Sequence, residues 1–226
     1  TQYGDNHMAK GKQTNKHQKS WLSQLLFTLS LIFLAFGLFQ LGWAVWPTLR
    51  DAVQIVIREG VLPGAPAEKA YESLAEYMLS LSWPIWFRAG QTENIQLAMI
   101  EAEALNDPQT TGREGQIVIL EPVMTNLTLT PPGRIQTNLA AGKELDLVWD
   151  VEGEEAGEYQ GKVYVAFGFY DDALDEVVPV PVAVLDINTR IVSLWGLGVN
   201  LVIWLGFMGL VLWGALFVLG RLAQGH

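Results

Sequence analysis

Residues 20–49 read SWLSQLLFTLSLIFLAFGLFQLGWAVWPTL, thirty positions without one charged side chain. A second run of the same length, IVSLWGLGVNLVIWLGFMGLVLWGALFVLG, fills residues 191–220. The hydrocarbon core of a bilayer is about 30 Å thick and takes about 20 apolar helical residues to cross, so each run spans with residues to spare. Trp21 stands at one end of the first run with Trp43 and Trp46 at the other, and Trp195 and Trp213 flank the second. Amphipathic rings of this kind favour the two headgroup layers. Two soluble core helices of this length would leave too little chain to cover them. The sequence therefore predicts two transmembrane helices, over residues 21–46 and 191–220.

Composition agrees. Charged residues make up 17% of the 226 positions, against about 25% in soluble domains. Lys10, Lys12, Lys16 and Lys19 precede the first run and Arg221 follows the second, while only Arg50, Arg58 and Arg190 lie close on the other side. The positive-inside rule then puts both termini in the cytoplasm, as a basic arm over 1–20 and a tail over 221–226. Residues 47–190 fall outside, and they carry a net charge of −14 against −10 for the whole chain. An acidic exterior argues against nucleic acid as a partner and against lying down on anionic lipid. The first run exceeds the roughly 7–15 apolar residues of a signal peptide and has no clear small-x-small cleavage site, so it reads as an uncleaved signal anchor. Met8-Ala9-Lys10 reads as a natural start. The arm is rich in Lys, Gln and Asn, the composition of a segment that needs a partner to order it.

The exterior segment divides by period. Over residues 48–59, Leu49, Val53, Val56 and Ile57 fall near one helical face, and Ala70, Leu74, Tyr77, Met78 and Leu81 recur three or four apart. Short juxtamembrane helices are the expectation for residues 47–82. From Trp83 the period becomes two. Ile95, Leu97 and Met99 alternate with polar neighbours, as do Leu127 with Leu129, and Leu145, Leu147, Trp149 with Val151. Residues 116–120 form a short apolar run, Val163, Val165, Phe167 and Phe169 alternate again, and Val178, Val180, Val182 and Val184 share one face. Six or seven such strands predict an antiparallel β-sandwich over residues 83–190. Pro179 and Pro181 lack amide donors, which places that part of the last strand at a sheet edge.

Glu155-x-Gly157-x-Tyr159-x-Gly161, just before the strand that begins near Val163, resembles the turn into the sixth strand of immunoglobulin-like domains. There a tyrosine two residues before the second cysteine hydrogen-bonds to backbone and fixes the corner. Gly161 stands where that cysteine would be, the chain has no cysteine at all, and Trp149 lies too close to be the core tryptophan of the third strand. The pattern is similar to cysteine-free Ig-like domains of bacterial surface proteins. The resemblance implies a structural role for Tyr159, and a whole chain built as a bacterial two-span membrane protein with an extracytoplasmic all-β Ig-like sandwich.

Most chemistry is argued against. With no cysteine, thiol catalysis, Cys-ligated zinc and iron–sulfur clusters are excluded, and His7, His17 and His226 all lie in the terminal tails. No cofactor, metal or catalytic group is predicted, and the chain reads as a non-enzyme. Glu152, Glu154, Glu155 and Glu158 crowd one turn and Asp171, Asp172, Asp175 and Glu176 the next. Two such turns side by side at one end of the sandwich could hold calcium, although solvated hairpin turns are the preferred reading.

The first span does carry a pattern. Ser23, Ser30, Gly37 and Ala44 recur every seven residues, and Gln40 borders the row they form. Small residues let helix backbones approach, and a seven-residue repeat suits left-handed packing. Gly206, Gly209 and Asn200 provide a looser small and polar surface on the second span. Either the two spans pack on each other or the seam takes further helices, and the polar surplus in Gln24, Gln40 and Asn200 favours further helices. The expectation is thus a non-catalytic accessory subunit in a bacterial plasma membrane, with other integral subunits, an exterior subunit and lipid as partners. Respiratory or photosynthetic electron-transfer complexes such as alternative complex III contain cofactor-free subunits of similar build. The alternative is a free-standing, membrane-anchored Ig-like binding or adhesion module.

Overall fold

The computed structural model describes residues 8–57, 76–101, 116–140, 142–171 and 175–224. They form two compact units: residues up to Pro47 together with those from Val199 onward, and Thr48–Gly198. The first contains two helices, α1 (Met8–Val45) and α2 (Val199–Gln224). Within them, Ser23–Val45 and Val199–Leu222 are long and apolar enough to cross a membrane. Helix α1 extends upstream of its apolar run through the basic arm, whose Lys, Gln and Ala residues are strong helix formers. It stops before Pro47, which has no amide proton and clashes with the preceding turn.

Among its described residues the second unit has ten strands: β1 (Arg50–Ile57), β2 (Tyr77–Pro84), β3 (Trp86–Arg88), β4 (Thr92–Glu101), β5 (Gln116–Met124), β6 (Thr128–Thr130), β7 (Ile135–Leu139), β8 (Leu145–Glu152), β9 (Gly157–Asp171) and β10 (Glu176–Val192). One sheet has the order β1-β2-β4-β8-β6 and the other β3-β10-β9-β5-β7. All pairings are antiparallel except β3 with β10. Both sheets feed one core, with Leu79, Leu81, Leu97 and Trp149 from the first and Phe87, Leu120, Val165 and Phe167 from the second fully buried. Each such side chain contributes about 1.5–3 kcal/mol of burial free energy.

The expected juxtamembrane helices are corrected where they are described. Residues 50–57 form a strand, paired Arg50↔Pro84 through Ile57↔Tyr77 with β2. Val53, Ile55 and Ile57 turn toward the core and Val56 is exposed, so the period is two. β-Branched residues suit that pleated surface better than a helix. Tyr77, Leu79, Leu81 and Trp83 alternate inward in the same way on β2. Ala70 and Leu74, with the rest of that expected helix, lie outside the described residues.

The second apolar run also divides differently. Its first residues finish β10, with Ile191 buried in the β core opposite Gly157 and Phe87, and α2 begins only at Val199. Absence of charge made residues 191–198 look like part of a span, yet Ile191 is consumed by sheet packing. Pairing of β10 with β3 covers only Arg190–Val192, so no described strand lies on the far side of Pro179 and Pro181. A bulge between Pro181 and Ala183 shifts the register by one residue. Val180 therefore points into the core while Val184 points out, contrary to the shared face expected for the four valines.

Ile85 marks the place where the chain changes sheets. Its amide donates to the Leu49 carbonyl at 2.8 Å on the β1 side, and its own carbonyl accepts from the Arg190 amide at 2.9 Å on the β10 side. The Thr189 hydroxyl donates to the Pro84 carbonyl at 2.8 Å and the Trp83 indole to the Asn188 carbonyl at 3.0 Å, locking the crossover.

Candidate functional site

The residues of the seven-residue seam lie against α2. Gly37 approaches Gly206 and Leu210, Gly206 lies beside Gln40 and Leu41, Gly209 faces Gly37 and Phe33, and Gly220 reaches Leu26. Rising numbers on one helix meet falling numbers on the other, so the pair is antiparallel. A Cβ on Gly37 would come 2.9 Å from the Gly206 carbonyl oxygen, a separation that real Cβ atoms do not show. Ser23, Ser30 and Gln40 are buried and Ala44 half-buried. The Ser30 hydroxyl donates back to the Phe27 carbonyl at 2.7 Å. Asn200, at the second position of α2, is exposed and takes no part in the seam. The seam assigned to further helices is thus filled from within the chain, because Gly206 and Gly209 complement it. Gln40 keeps a fully buried amide whose Nε2 and Oε1 have no hydrogen-bond partner among the described residues.

Tyr159 forms a corner of the kind its motif implied. Its hydroxyl donates to the Glu155 carbonyl, four residues upstream, at 2.9 Å. Gly161 pairs with Met124 across β9 and β5, and a Cβ there would meet Met124 Cγ at 2.6 Å and the Val123 carbonyl at 2.9 Å. Trp149 is in the core, on β8 in the β1-side sheet, and its buried indole nitrogen has no acceptor among the described residues.

The two acidic turns do not converge. Glu152, Glu154 and Glu155 precede Gly157, which pairs with Ile191, while Asp171 pairs with Glu176 and Asp172 lies outside the described residues. The two turns occupy opposite ends of the 15-residue strand β9, about 45 Å apart at roughly 3.3 Å per residue. A calcium site shared between them is overturned by that distance. Among the described residues no three His, Cys, Asp or Glu side chains come together as metal ligands. An open polar cleft of about 550 Å³ lies at the first turn, lined by Asn126, Thr128, Glu152, Glu154, Glu155 and Tyr159.

A polar network that sequence reading did not find sits where the chain enters and leaves the β unit. The Thr48 hydroxyl donates to Glu93 Oε1 at 3.2 Å, the Gln91 amide donates to the same oxygen at 2.7 Å, and Arg88 donates to Gln91 Oε1 at 3.1 Å. Arg88 is buried, with its guanidinium 5.2 Å from the centre of the Trp86 ring. Burial pushes its pKa below the ordinary arginine value, and the Glu93 charge acts in the opposite direction. The one available signal was an arginine set directly after Trp86 and Phe87, where an apolar strand has no ordinary use for a cation. Gly198 packs on the Ala89 carbonyl, in the turn after β3.

No family model and no curated protein sequence matches the chain. Solved structures do. The native Escherichia coli alpha-2-macroglobulin structure matches at 11% identity and a TM-score of 0.35, over 52% of this chain and 8% of that one. SSP-19, an MSP-domain protein like family member of Caenorhabditis elegans, matches at 14% identity and a TM-score of 0.29, over 47% of this chain and 90% of that one. PapD-like domain 7 of human CEP192 matches at 12% identity and a TM-score of 0.28, over 49% and 80%. Each of these matches is at most 14% identical, with a TM-score of 0.35 or less. At these scores they assign this chain neither a family nor a role.

Proposed function

We propose that this chain is a non-catalytic, membrane-anchored binding module of a bacterial plasma membrane. Helices α1 and α2 cross the bilayer as a pair, both termini are cytoplasmic, and the β unit stands outside. The observation that carries this reading is the contact of Gly37 with Gly206 and Gly209, which makes the two apolar helices a self-sufficient anchor. Their 23- and 24-residue apolar stretches are about 35 Å long at 1.5 Å per residue, enough to cross. Leu31, Trp204 and Phe207 are exposed on the outside of the pair and suit lipid. Gln24 and Asn200 stand second in their apolar stretches, at opposite faces of the membrane, where headgroups and water satisfy them. Gln24 and Asn200 then need no further helix, while Gln40 is buried within the pair.

This favours the free-standing module over an accessory subunit of a larger complex. The absence of His and Cys from residues 47–190 supports a binding rather than a catalytic role. Native purification in mild detergent, with sizing and mass spectrometry, tests the choice. A 25 kDa chain or its simple homodimer supports the module, and a large stoichiometric assembly restores the accessory-subunit reading.

A further inference from the structure

Residues Leu194 to Leu197 close a two-residue turn, joined by a β-bridge with the Leu197 amide donating to the Leu194 carbonyl at 3.0 Å. Its central residues both have positive φ, 56° at Trp195 and 74° at Gly196. That conformation is one for Asn, Asp or Gly at the first position, and a bulky side chain there is a steric outlier. Trp195 is nonetheless 62% exposed. Strain held at an exposed aromatic calls for a role outside the protein core.

Two further large apolar side chains lie open at the same end of the β unit. Leu49 is 60% exposed and Ile85 43%, and their backbones are hydrogen-bonded to each other at the sheet crossover. Leu49 follows Val45, the last residue of α1, by four positions, and Trp195 precedes Val199, the first residue of α2, by four. Four residues reach at most about 14 Å. If the apolar stretches cross the bilayer, both side chains are tethered within reach of the headgroup layer, which adds about 5–7 Å beyond the hydrocarbon on each side.

We infer, resting on the reading of α1 and α2 as spans, that Trp195, Leu49 and Ile85 seat this end of the β unit in the headgroup layer of the bilayer. The attachment is aromatic and apolar rather than ionic. Arg50 is exposed beside Leu49 but donates to Ser82 and to the Asn94 carbonyl, and Arg190, exposed beside Ile85, faces Glu158 across the strand pair, with Glu154 and Glu155 at the same end. Anionic lipid is therefore not required.

Because the chain contains no cysteine, single-cysteine variants of the full-length protein can carry a nitroxide label in phosphatidylcholine nanodiscs. Ile85→Cys and Trp195→Cys report on the anchor, Val56→Cys on the opposite end of β1, and Leu31→Cys on the middle of α1. Collision rates with oxygen and with a water-soluble nickel chelate give the depth of each. The expected order places Leu31 deep, Ile85 and Trp195 at headgroup depth, and Val56 in water, unchanged when anionic lipid is mixed in. Labels at Ile85 and Trp195 as water-accessible as that at Val56, with Leu31 still deep, overturn the anchor and leave the spans intact. A water-accessible Leu31 overturns the spans and the anchor together. Trp195→Asn relieves the turn, so it is expected to raise the unfolding temperature of the β unit while moving the Ile85 label outward. An unmoved label shows that the indole is no anchor.

Discussion

Gly209 and Gly37 meet backbone to backbone: a Cβ built on Gly209 would lie 3.2 Å from the Gly37 Cα. A methyl group at Gly209 would need the facing backbone to give by a few tenths of an ångström. Gly42 and Gly214 are a built-in contrast, because a Cβ on either meets nothing within 4 Å. The chain thus has contact glycines and outward glycines on the same two helices, and the difference is measurable.

Leu26→Cys with Gly220→Cys should form an intramolecular disulfide under mild oxidation. A Cβ on Gly220 lies 3.7 Å from that of Leu26, inside the roughly 3.5–4.5 Å range of real disulfides. Reducing and non-reducing gels of the cysteine-free background read it directly. Cross-linked dimers in place of a faster-running monomer would mean that the helices pair between chains.

Gly37→Leu or Gly209→Leu should cost the helix pair about 1–3 kcal/mol, the usual range for overpacking a tight contact. In the double-cysteine background the disulfide yield falls. Gly42→Ala and Gly214→Ala should leave the yield unchanged, and a loss in those variants would contradict the packing described.

Gln40→Leu should be neutral or stabilising. The amide is buried with neither end paired, and removing an unsatisfied polar group relieves a desolvation penalty of about 1–3 kcal/mol. A large fall in the thermal stability of the detergent-solubilised protein would reveal a partner for Gln40.

Gly161→Ala should destabilise the β unit by about 1–3 kcal/mol, because the new methyl group collides with Met124 and with the Val123 carbonyl. Met124→Ala should recover part of that loss, since the methionine side chain is the yielding half of the clash. Denaturant unfolding of the four-member mutant cycle measures the coupling. Strict additivity would show that the two positions do not share the space.

The Lys162 ammonium donates to Asp186 at 2.9 Å, and this bond holds its pKa above the ordinary lysine value of 10.5. A group raised on folding stabilises fully below its unfolded pKa, and the contribution is lost as pH rises through the folded value. Both side chains are more than half exposed, so the effect is small. Thermal unfolding of Lys162→Met and wild type should differ slightly at neutral pH and converge above pH ~10.5. A gap that widens on the alkaline side would contradict the pairing.

Much of the architecture was readable from residue pattern. Thirty uncharged positions are a long signal that no short segment imitates, and the alternations around Leu97, Leu147 and Val165 extend over several residues with one period. β1 and β2 were misread because eight residues such as Arg50–Ile57 fit both periods. Val56 looked like part of a helical stripe until pairing with β2 turned Val53, Ile55 and Ile57 inward. Tyr159 was legible because its hydrogen bond is local, to the carbonyl four residues upstream. Arg88, Gln91, Glu93 and Thr48 were not, since their network joins residues up to 45 positions apart.

Local periodicity and length were enough to establish two apolar helices, a mostly β segment between them, and a row of small residues down one helix face. They act within a few turns or one strand, so adjacent residues encode them. Which surface covers the row, which end of β9 each acidic turn occupies, and which way Val184 points all depend on pairings between distant segments. Those pairings set Gly209 against Gly37, the acidic turns at opposite ends, and Val184 beyond a bulge. Distance in space, not along the chain, decided them.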